Sequence, residues 1–589
     1  MSKETKNQEK INDVRHTFAH VLAQAVLKFY PDAKLGIGPT IEDGFYYDFD
    51  NVEISEKDLK KIQGEMKKII SRDLAIKKEM WDSKKAKKHF ENLKQPYKLE
   101  LIEDLKKEGE KKVGMVYTGE DFLDLCRGGH VDSTGKLNVK AFKLMRVAGA
   151  YWRGDENNPM LTRVYGVAFE TKDELDEYLK RLEEAKKRDH RKIGKELDLF
   201  TFSELVGAGL PLFTPKGTIL REELRKAVVD ISAKYGAEMV TIPHIAKRKL
   251  YEKSGHADKF GDELLKVISH YDEFVMKPVN CPHHTQIYNS KQRSYRDLPI
   301  RFMESTVQYR DEKPGEIGGL TRVRAISVDD GHIFCTVEQI KEEAKNIAKI
   351  IEEFYKGLGL WGDHWVSLSV RNPKTPDAYI GDSKDWDKAE KMLAEISDEM
   401  KLDAERVEGE AAIYGPKLDY MFKDSLGREW QLGTIQIDFA MPKRFDLTYV
   451  DEKGEDATPV MLHRAILGSY ERFLAILIEH YAGAFPTWLS PVQAWVVPIS
   501  DKFNKYGEKV AEKLQEVGVR IELHSEDESL GKKIRNGQKE KVPYLLVVGE
   551  QEEKNGTVAV RHREKGDVGE TKIDDFIEKI SKEIKNKKN

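Results

Sequence analysis

Apolar residues recur at helical spacing over 11–30, where Val14, Phe18, Val21, Leu22, Ala25 and Phe29 form one stripe. The pattern predicts an amphipathic helix. At about 100° per residue, His16 and His20 fall together on the roughly opposite face, so packing within this helix does not account for them. The stretch 36–50 reads as strands and turns, 56–72 as a lysine-rich helix, and KKAKKH (84–89) as a solvated run. At 122–135, FLDLCRGGHVDSTG sets Cys126 and His130 four apart in a Gly-rich turn. Thr171 and Glu174 open another helix as a capping box, with Leu175, Tyr178, Leu179, Leu182 and Ala185 at helical spacing. Charge pairs fill the rest of it, which suits a linker helix over 171–195.

From about Glu196 the character changes. A strand is expected at 237–245, ending at Pro243, then a Pro-bounded turn at 276–288 that holds Cys281. Thr336 and Gln339 cap a helix to about Phe354; 365–371 and much of 411–442 read as strands, and 462–480 as a strongly apolar helix. The stretch Ser305–Cys335 is the most informative. STVQYR and TRVRAISV read as two extended runs around a loop bearing Pro314, Gly315, Gly318 and Gly319. On this reading Arg310, Arg322, Arg324 and Glu312 converge on one sheet surface. Guanidinium groups pair bidentately with phosphate, so the surface suits a nucleoside triphosphate; solvated arginines on an exposed sheet are the plainer alternative. After about 488, short β runs alternate with helices at 502–517, 531–541 and 573–586, the pattern of a parallel or mixed sheet with helices on its faces.

At 589 residues the chain has room for roughly four domains. Apolar residues make up 39% and charged residues 34%, which fits a globular protein. No run approaches the ~20 apolar residues of a membrane span, and MSKETKNQEK lacks the apolar centre of a secretion signal, so no membrane role is expected and the cytoplasm is the expected location. A net charge of −4 does not announce a nucleic-acid binder; any RNA surface must be local. Cys126, Cys281 and Cys335 form no CxxC pair and no disulfide framework.

The Ser305–Cys335 stretch resembles motif 2 of class II aminoacyl-tRNA synthetases, and GGLTRVR…DDGHIF resembles its threonyl form. The 237–245 segment is similar to motif 1, the family's dimer interface, and Gly468, Ser469 and Arg472 to motif 3. HxxxH at His16 and His20 with CxGxH at Cys126 and His130 resembles the editing domain shared with alanyl enzymes. The resemblance covers nearly the whole chain and implies an α+β multidomain protein. It would have an editing domain (1–170), the linker (171–195), an antiparallel-sheet catalytic domain (196–487) and an α/β anticodon-binding domain (488–589). Bacterial relatives usually carry a ubiquitin-like domain before the editing module; about 15 residues precede His16, so that domain is expected to be absent.

The implied activity is ATP-dependent activation of L-threonine and its transfer to tRNA by a homodimer. Arg310, Glu312, Arg322 and Arg472 would hold ATP with Mg²⁺. Cys281, His332 and His463, dispersed along the chain in NCPHH, DDGHIF and LHRAILG, would bind one Zn²⁺. Asp330, Tyr414, Gln431, Gln436 and Ser469 would contact the substrates. Threonine and valine are nearly isosteric, so a site that engages the hydroxyl is needed to reject valine; serine then passes and calls for a second, hydrolytic site. His16, His20, Tyr47, Asp124, Cys126 and His130 would form it. Arg535, Glu552 and Arg561 would read the anticodon. Three positions depart from the family: Ile326 and Val328 stand where Phe and Gln are usual, and Asp527 where Asn is. Two rival readings are a class II synthetase for serine, proline or alanine, and an inactive regulator that binds tRNA or messenger RNA. The metal set speaks against the first, and intact Arg310, Glu312 and Arg472 against the second.

Overall fold

The computed structural model describes residues 3–362 and 364–587, and the chain divides into two units, Met1–Glu183 and Glu184–Asn589. Among the described residues no helix is long and apolar enough to cross a membrane.

In the first unit a helix, Lys3–Phe29, packs on a second helix, Glu56–Ser71, and on the strand Gly44–Asp50. Its predicted stripe does enter the core, with Phe18, Val21 and Leu22 fully buried. Its opposite face is not solvated, however: Thr17 and His20 are buried as well. Periodicity reports one apolar face, and here the polar face is covered by another part of the fold. Gly44–Asp50 lies in a sheet of order Lys34–Leu35, Gly44–Asp50, Met160–Ala168, Phe142–Tyr151, with Thr40–Ile41 paired at the side. A separate sheet joins Ile76–Asp82, Lys112–Thr118 and Phe122–Leu125. The run 84–89, expected to be solvated, lies in the helix Ser83–Asn92, which buries Ala86 and Phe90. The expected linker helix is two helices, Lys172–Arg188 and His190–Glu196. The chain breaks at Asp189, whose carboxylate accepts from the Arg191 N–H and caps the second helix.

The second unit is built on an eight-stranded sheet. Its order is Glu238–Met239, Ile300–Tyr309, Ala325–Cys335, Val460–Ala465, Glu429–Asp438, Lys417–Lys423, His364–Val370, Glu405–Glu408. Only the two outermost pairs are parallel. Alternation along the strands sends Ile333, Leu462, Ile435, Ile437 and Leu418 into one core with the helices Ile340–Gly357 and Tyr470–His480. The opposite face is left for the site.

Three expectations change here. The apolar run at 462–480 is a strand followed by a helix; Gly468, at φ +75°, turns the chain, and Ser469 caps the helix. Arg322 and Arg324 precede the second strand, which begins at Ala325, so they belong to the loop. The 237–245 segment holds only a two-residue strand, Glu238–Met239, and the start of Ile245–Lys247.

The C-terminal segment has its own apolar core. Its sheet runs Ile521–Leu523, Ala494–Pro498, Tyr544–Val548, Thr557–His562, Gly566–Lys572, with the first three strands parallel and the rest antiparallel.

Candidate functional site

Strand pairing sets His332 opposite His463, and His463 opposite Gln436, across three neighbouring strands. Directly opposed residues share a face, so all three side chains reach one cavity of about 260 Å³, with Asp330 two residues before His332. Cys281 enters from the first turn of the helix Cys281–Tyr288, rather than from a turn. Its sulfur and a ring nitrogen of each histidine lie within 4.8 Å of one another, all three residues buried. One thiolate and two imidazoles are a donor set for Zn²⁺ that leaves a fourth position open. His463 Nε2 stands 2.8 Å from Asp438 Oδ2, and His332 Nδ1 2.7 Å from His284 Nδ1. Each histidine is thus oriented through one ring nitrogen, which leaves the other for a metal. Burial pushes the Cys281 thiol well up and the His332 imidazole well down, so both are neutral near pH 7 unless a cation replaces the thiol proton.

Around this set, Asp330 Oδ2 accepts from Asn280 Nδ2 at 2.9 Å. Tyr414 donates to Gln436 Oε1 at 2.7 Å and stacks on His463, ring centres 4.3 Å apart. Gln431 stands exposed on the strand Glu429–Asp438 and does not line the cavity. Val328 does line it, while Cys335 is fully buried in the core.

Arg310 follows the strand Ile300–Tyr309 and lines the same cavity. Its guanidinium lies over Phe260 at 4.9 Å, and its buried Nε meets no acceptor among the described residues. Burial lowers its pKa from the usual arginine value, against the pull of Glu312. A desolvated cation with an unused donor is a ready partner for an anion. The other arginines are tied into the loop. Arg322 Nε donates to Glu312 at 2.8 Å and Arg322 Nη2 meets Glu316 at 2.6 Å. Arg324 Nη2 donates to the Glu312 carbonyl at 3.0 Å, and Arg472 Nε to the Thr321 carbonyl at 3.1 Å. Ser469 Oγ donates to Glu471 and accepts from the Arg472 N–H.

The first unit holds a second cluster. Cys126 Sγ lies 3.3 Å from His16 Nε2 and 3.2 Å from His130 Nε2, and the ligand atoms of His16, His20, Cys126 and His130 are all within 4.8 Å of one another. Thr17 donates to the Asp13 carbonyl, so its oxygen accepts from His130 Nδ1–H at 3.3 Å; the lone pair of His130 Nε2 then faces the thiol. The glycines of the turn are needed for space. A Cβ on Gly128 would lie 2.3 Å from the His16 ring, and one on Gly129 would lie 2.0 Å from Asp13. Burial holds the imidazoles down, His20 well down and His130 to about 2, and pushes the Cys126 thiol up to about 11. These four groups are therefore neutral at neutral pH.

Tyr47 donates to Asp124 at 2.5 Å, which brings together two residues that the resemblance gives to this site. Sequence reasoning missed their partner. Lys98, 2% exposed, meets Asp124 at 2.6 Å and donates to the Tyr47 oxygen at 3.0 Å. Its signal was a lysine four residues before Ile102, on the buried face of the helix Pro96–Lys107.

In the C-terminal segment Arg535 is exposed on the helix Leu530–Lys539. Glu552 caps its own helix by accepting from the Gly549 N–H, and Arg561 meets Asp567 at 3.2 Å. No hydrogen bond or ion pair joins these three among the described residues. Asp527 is exposed.

Comparison with known proteins bears on each region. Residues 265–481 match the tRNA synthetase class II core domain (G, H, P, S and T), 493–583 the anticodon binding domain, and 113–165 the threonyl and alanyl tRNA synthetase second additional domain. A threonine--tRNA ligase of Gloeobacter violaceus is 49% identical over 566 residues, 95% of this chain and 90% of that protein. One of Thermus thermophilus is 48% identical, covering 98% of this chain and 89% of that protein. Among solved structures, the RNA binding domain of threonyl-tRNA synthetase from Cryptosporidium parvum superposes with a TM-score of 0.64 at 35% identity, over 67% of this chain and 98% of that one. A prolyl-tRNA synthetase from Giardia lamblia, at 17% identity and a TM-score of 0.53, shares the fold over 69% of this chain and 81% of its own.

Proposed function

The chain belongs to the threonine--tRNA ligases, and we propose that its larger unit activates L-threonine with ATP and passes it to tRNA, while its smaller unit hydrolyses wrongly charged seryl-tRNA. The observation that carries this reading is the meeting, in one cavity, of Cys281, His332 and His463 with Asp330 and with Arg310, whose buried Nε has no acceptor among the described residues.

The threonine carboxylate attacks the α-phosphorus of ATP; the new P–O bond forms as the bond to pyrophosphate breaks. Arg310 binds the α-phosphate and the charge that develops there. Arg322, now paired with Glu312 and Glu316, turns with Arg472 to the γ-phosphate. The freed Glu312 orients the adenine or amino group, and Mg²⁺ brought in with ATP would offset the phosphate charge. Cys281, His332 and His463 would hold Zn²⁺, which when bound supplies an electrophile for the amino and hydroxyl groups of threonine. Asp330 accepts from that hydroxyl, and Tyr414 and Gln436 wall the same pocket. A tRNA ribose hydroxyl then attacks the carbonyl carbon; the bond to AMP breaks, and the hydroxyl proton passes to the departing phosphate. Arg535, Glu552 and Arg561 would contact the anticodon from the C-terminal segment.

Purified protein should hold one zinc per chain by elemental analysis, and Cys281→Ser should lose both the metal and threonine activation. A metal-free preparation with full activity contradicts this reading.

For the smaller unit, neutral His16, His20 and His130 would position water or the terminal ribose, with Cys126 shaping the pocket and Lys98, Asp124 and Tyr47 bracing it. The double change His16→Ala with His20→Ala should leave threonyl transfer nearly intact and slow deacylation of preformed seryl-tRNA by roughly 10²-fold or more. Equal clearance by both proteins would show that these histidines have no part in hydrolysis.

A further inference from the structure

We propose that Asp419 is a positioning residue for threonine: through Thr434 it fixes the amide of Gln436, and thereby the hydroxyl of Tyr414, in one hydrogen-bonding sense. The inference rests on the reading above that Gln436 and Tyr414 wall the amino-acid pocket.

The strands Lys417–Lys423 and Glu429–Asp438 pair Lys417 with Gln436 and Asp419 with Thr434. These four side chains therefore share the cavity face, and Thr434 and Gln436 line the cavity. Asp419 lies behind them at 2% exposure. Its Oδ1 accepts from Thr434 Oγ1 at 2.8 Å; its Oδ2 accepts from Ser369 Oγ at 2.8 Å and meets Lys417 Nζ at 3.0 Å. Beside that ammonium the carboxylate is an acceptor only.

Direction follows from counting protons. Thr434 has one hydroxyl proton, and Asp419 takes it. Toward Gln436 the Thr434 oxygen can then only accept, and it does so from Nε2 at 3.3 Å. The amide is thus turned with Oε1 toward Tyr414, which must donate to it at 2.7 Å. The reversed amide would set Oε1 against the lone pairs of Thr434, an unmade bond in a half-buried site. One N–H of Gln436 and the lone pairs of the Tyr414 oxygen are left for a ligand, in a fixed arrangement beside His463.

Asparagine at 419 removes the constraint. Its amide can donate to Thr434, which frees the Thr434 proton for Gln436 and lets the whole relay reverse. We therefore expect Asp419→Asn to raise the threonine KM in pyrophosphate exchange about tenfold, with the ATP KM within about twofold of wild type. Thr434→Ser keeps the hydroxyl and should raise the threonine KM less than Thr434→Val, which should behave as Asp419→Asn. Gln436→Ala, measured alongside, should raise the threonine KM at least as far.

A normal threonine KM in Asp419→Asn overturns the relay. So does a pattern in which both KM values rise together and Thr434→Ser matches Thr434→Val, since that is the mark of a merely structural carboxylate. If Asp419→Asn fails to fold, the Thr434→Ser and Thr434→Val pair decides in its place. A normal Gln436→Ala enzyme removes Gln436 from the pocket and the proposal with it; an impaired one beside a normal Asp419→Asn overturns the relay alone.

Discussion

His20 shows what a single residue's pattern can and cannot say. Helical spacing correctly takes it off the apolar stripe of its helix, yet it is 2% exposed. Phe122 and His130, each more than a hundred positions on, lie against its ring, which no local period reports. Lys98 was missed for the same reason: a buried lysine is accounted for only by Asp124 and Tyr47, both distant in sequence. The burial has a consequence for stability. His16, His20 and His130 have pKa values below the ordinary histidine value in the folded unit, His130 near 2. In the unfolded chain they take a proton near 6.5. Above that pH both states are neutral and stability is complete. As pH falls below it the unfolded chain takes up protons more readily than the folded unit, so stability is lost, by about 2 kcal/mol at pH 5 for His130. Hydrogen exchange of residues 9–183 in urea at pH 7 and pH 5 should show this loss, and His20→Leu should shrink it. An unchanged pH dependence in that variant contradicts the account.

At the scale of elements, the sequence was legible where polar and apolar positions alternate and ambiguous where they do not. Val460–Ala465 is buried on both faces, and such a run reads equally as strand or helix; only the Gly468 turn separates it from the helix Tyr470–His480. The alternation of Arg322 and Arg324 predicts a strand, but both are held in the loop by Glu312, Glu316 and a backbone carbonyl. We propose a dimer interface at the 237–245 segment, as its resemblance to motif 1 implies, although its strand is shorter than expected. Glu238–Met239 edges the large sheet with Met239 48% exposed, and Ile245, 39% exposed, begins an outer strand of a separate three-stranded sheet. An apolar edge of this kind suits a symmetric partner. Light scattering at micromolar concentration should give twice the mass of one chain, and Met239→Lys should lower it toward the monomer. A wild-type protein that is monomeric there rules the dimer out.

For the whole molecule, fold class and family were legible because several short motifs, each ambiguous alone, agree along one chain. The metal set was not legible from spacing: Cys281, His332 and His463 lie far apart and meet only because two strands pair and a helix begins beside them. The functional account depends on that meeting, since a pocket of hydrophobic groups alone would separate threonine from valine poorly. Amino-acid-dependent pyrophosphate exchange tests it most directly. With ATP and each amino acid in turn, the account predicts rapid exchange with threonine, slow exchange with serine, and none above background with valine or proline. Exchange with serine or proline but not threonine, or none with any amino acid while tRNA binding is kept, would contradict it.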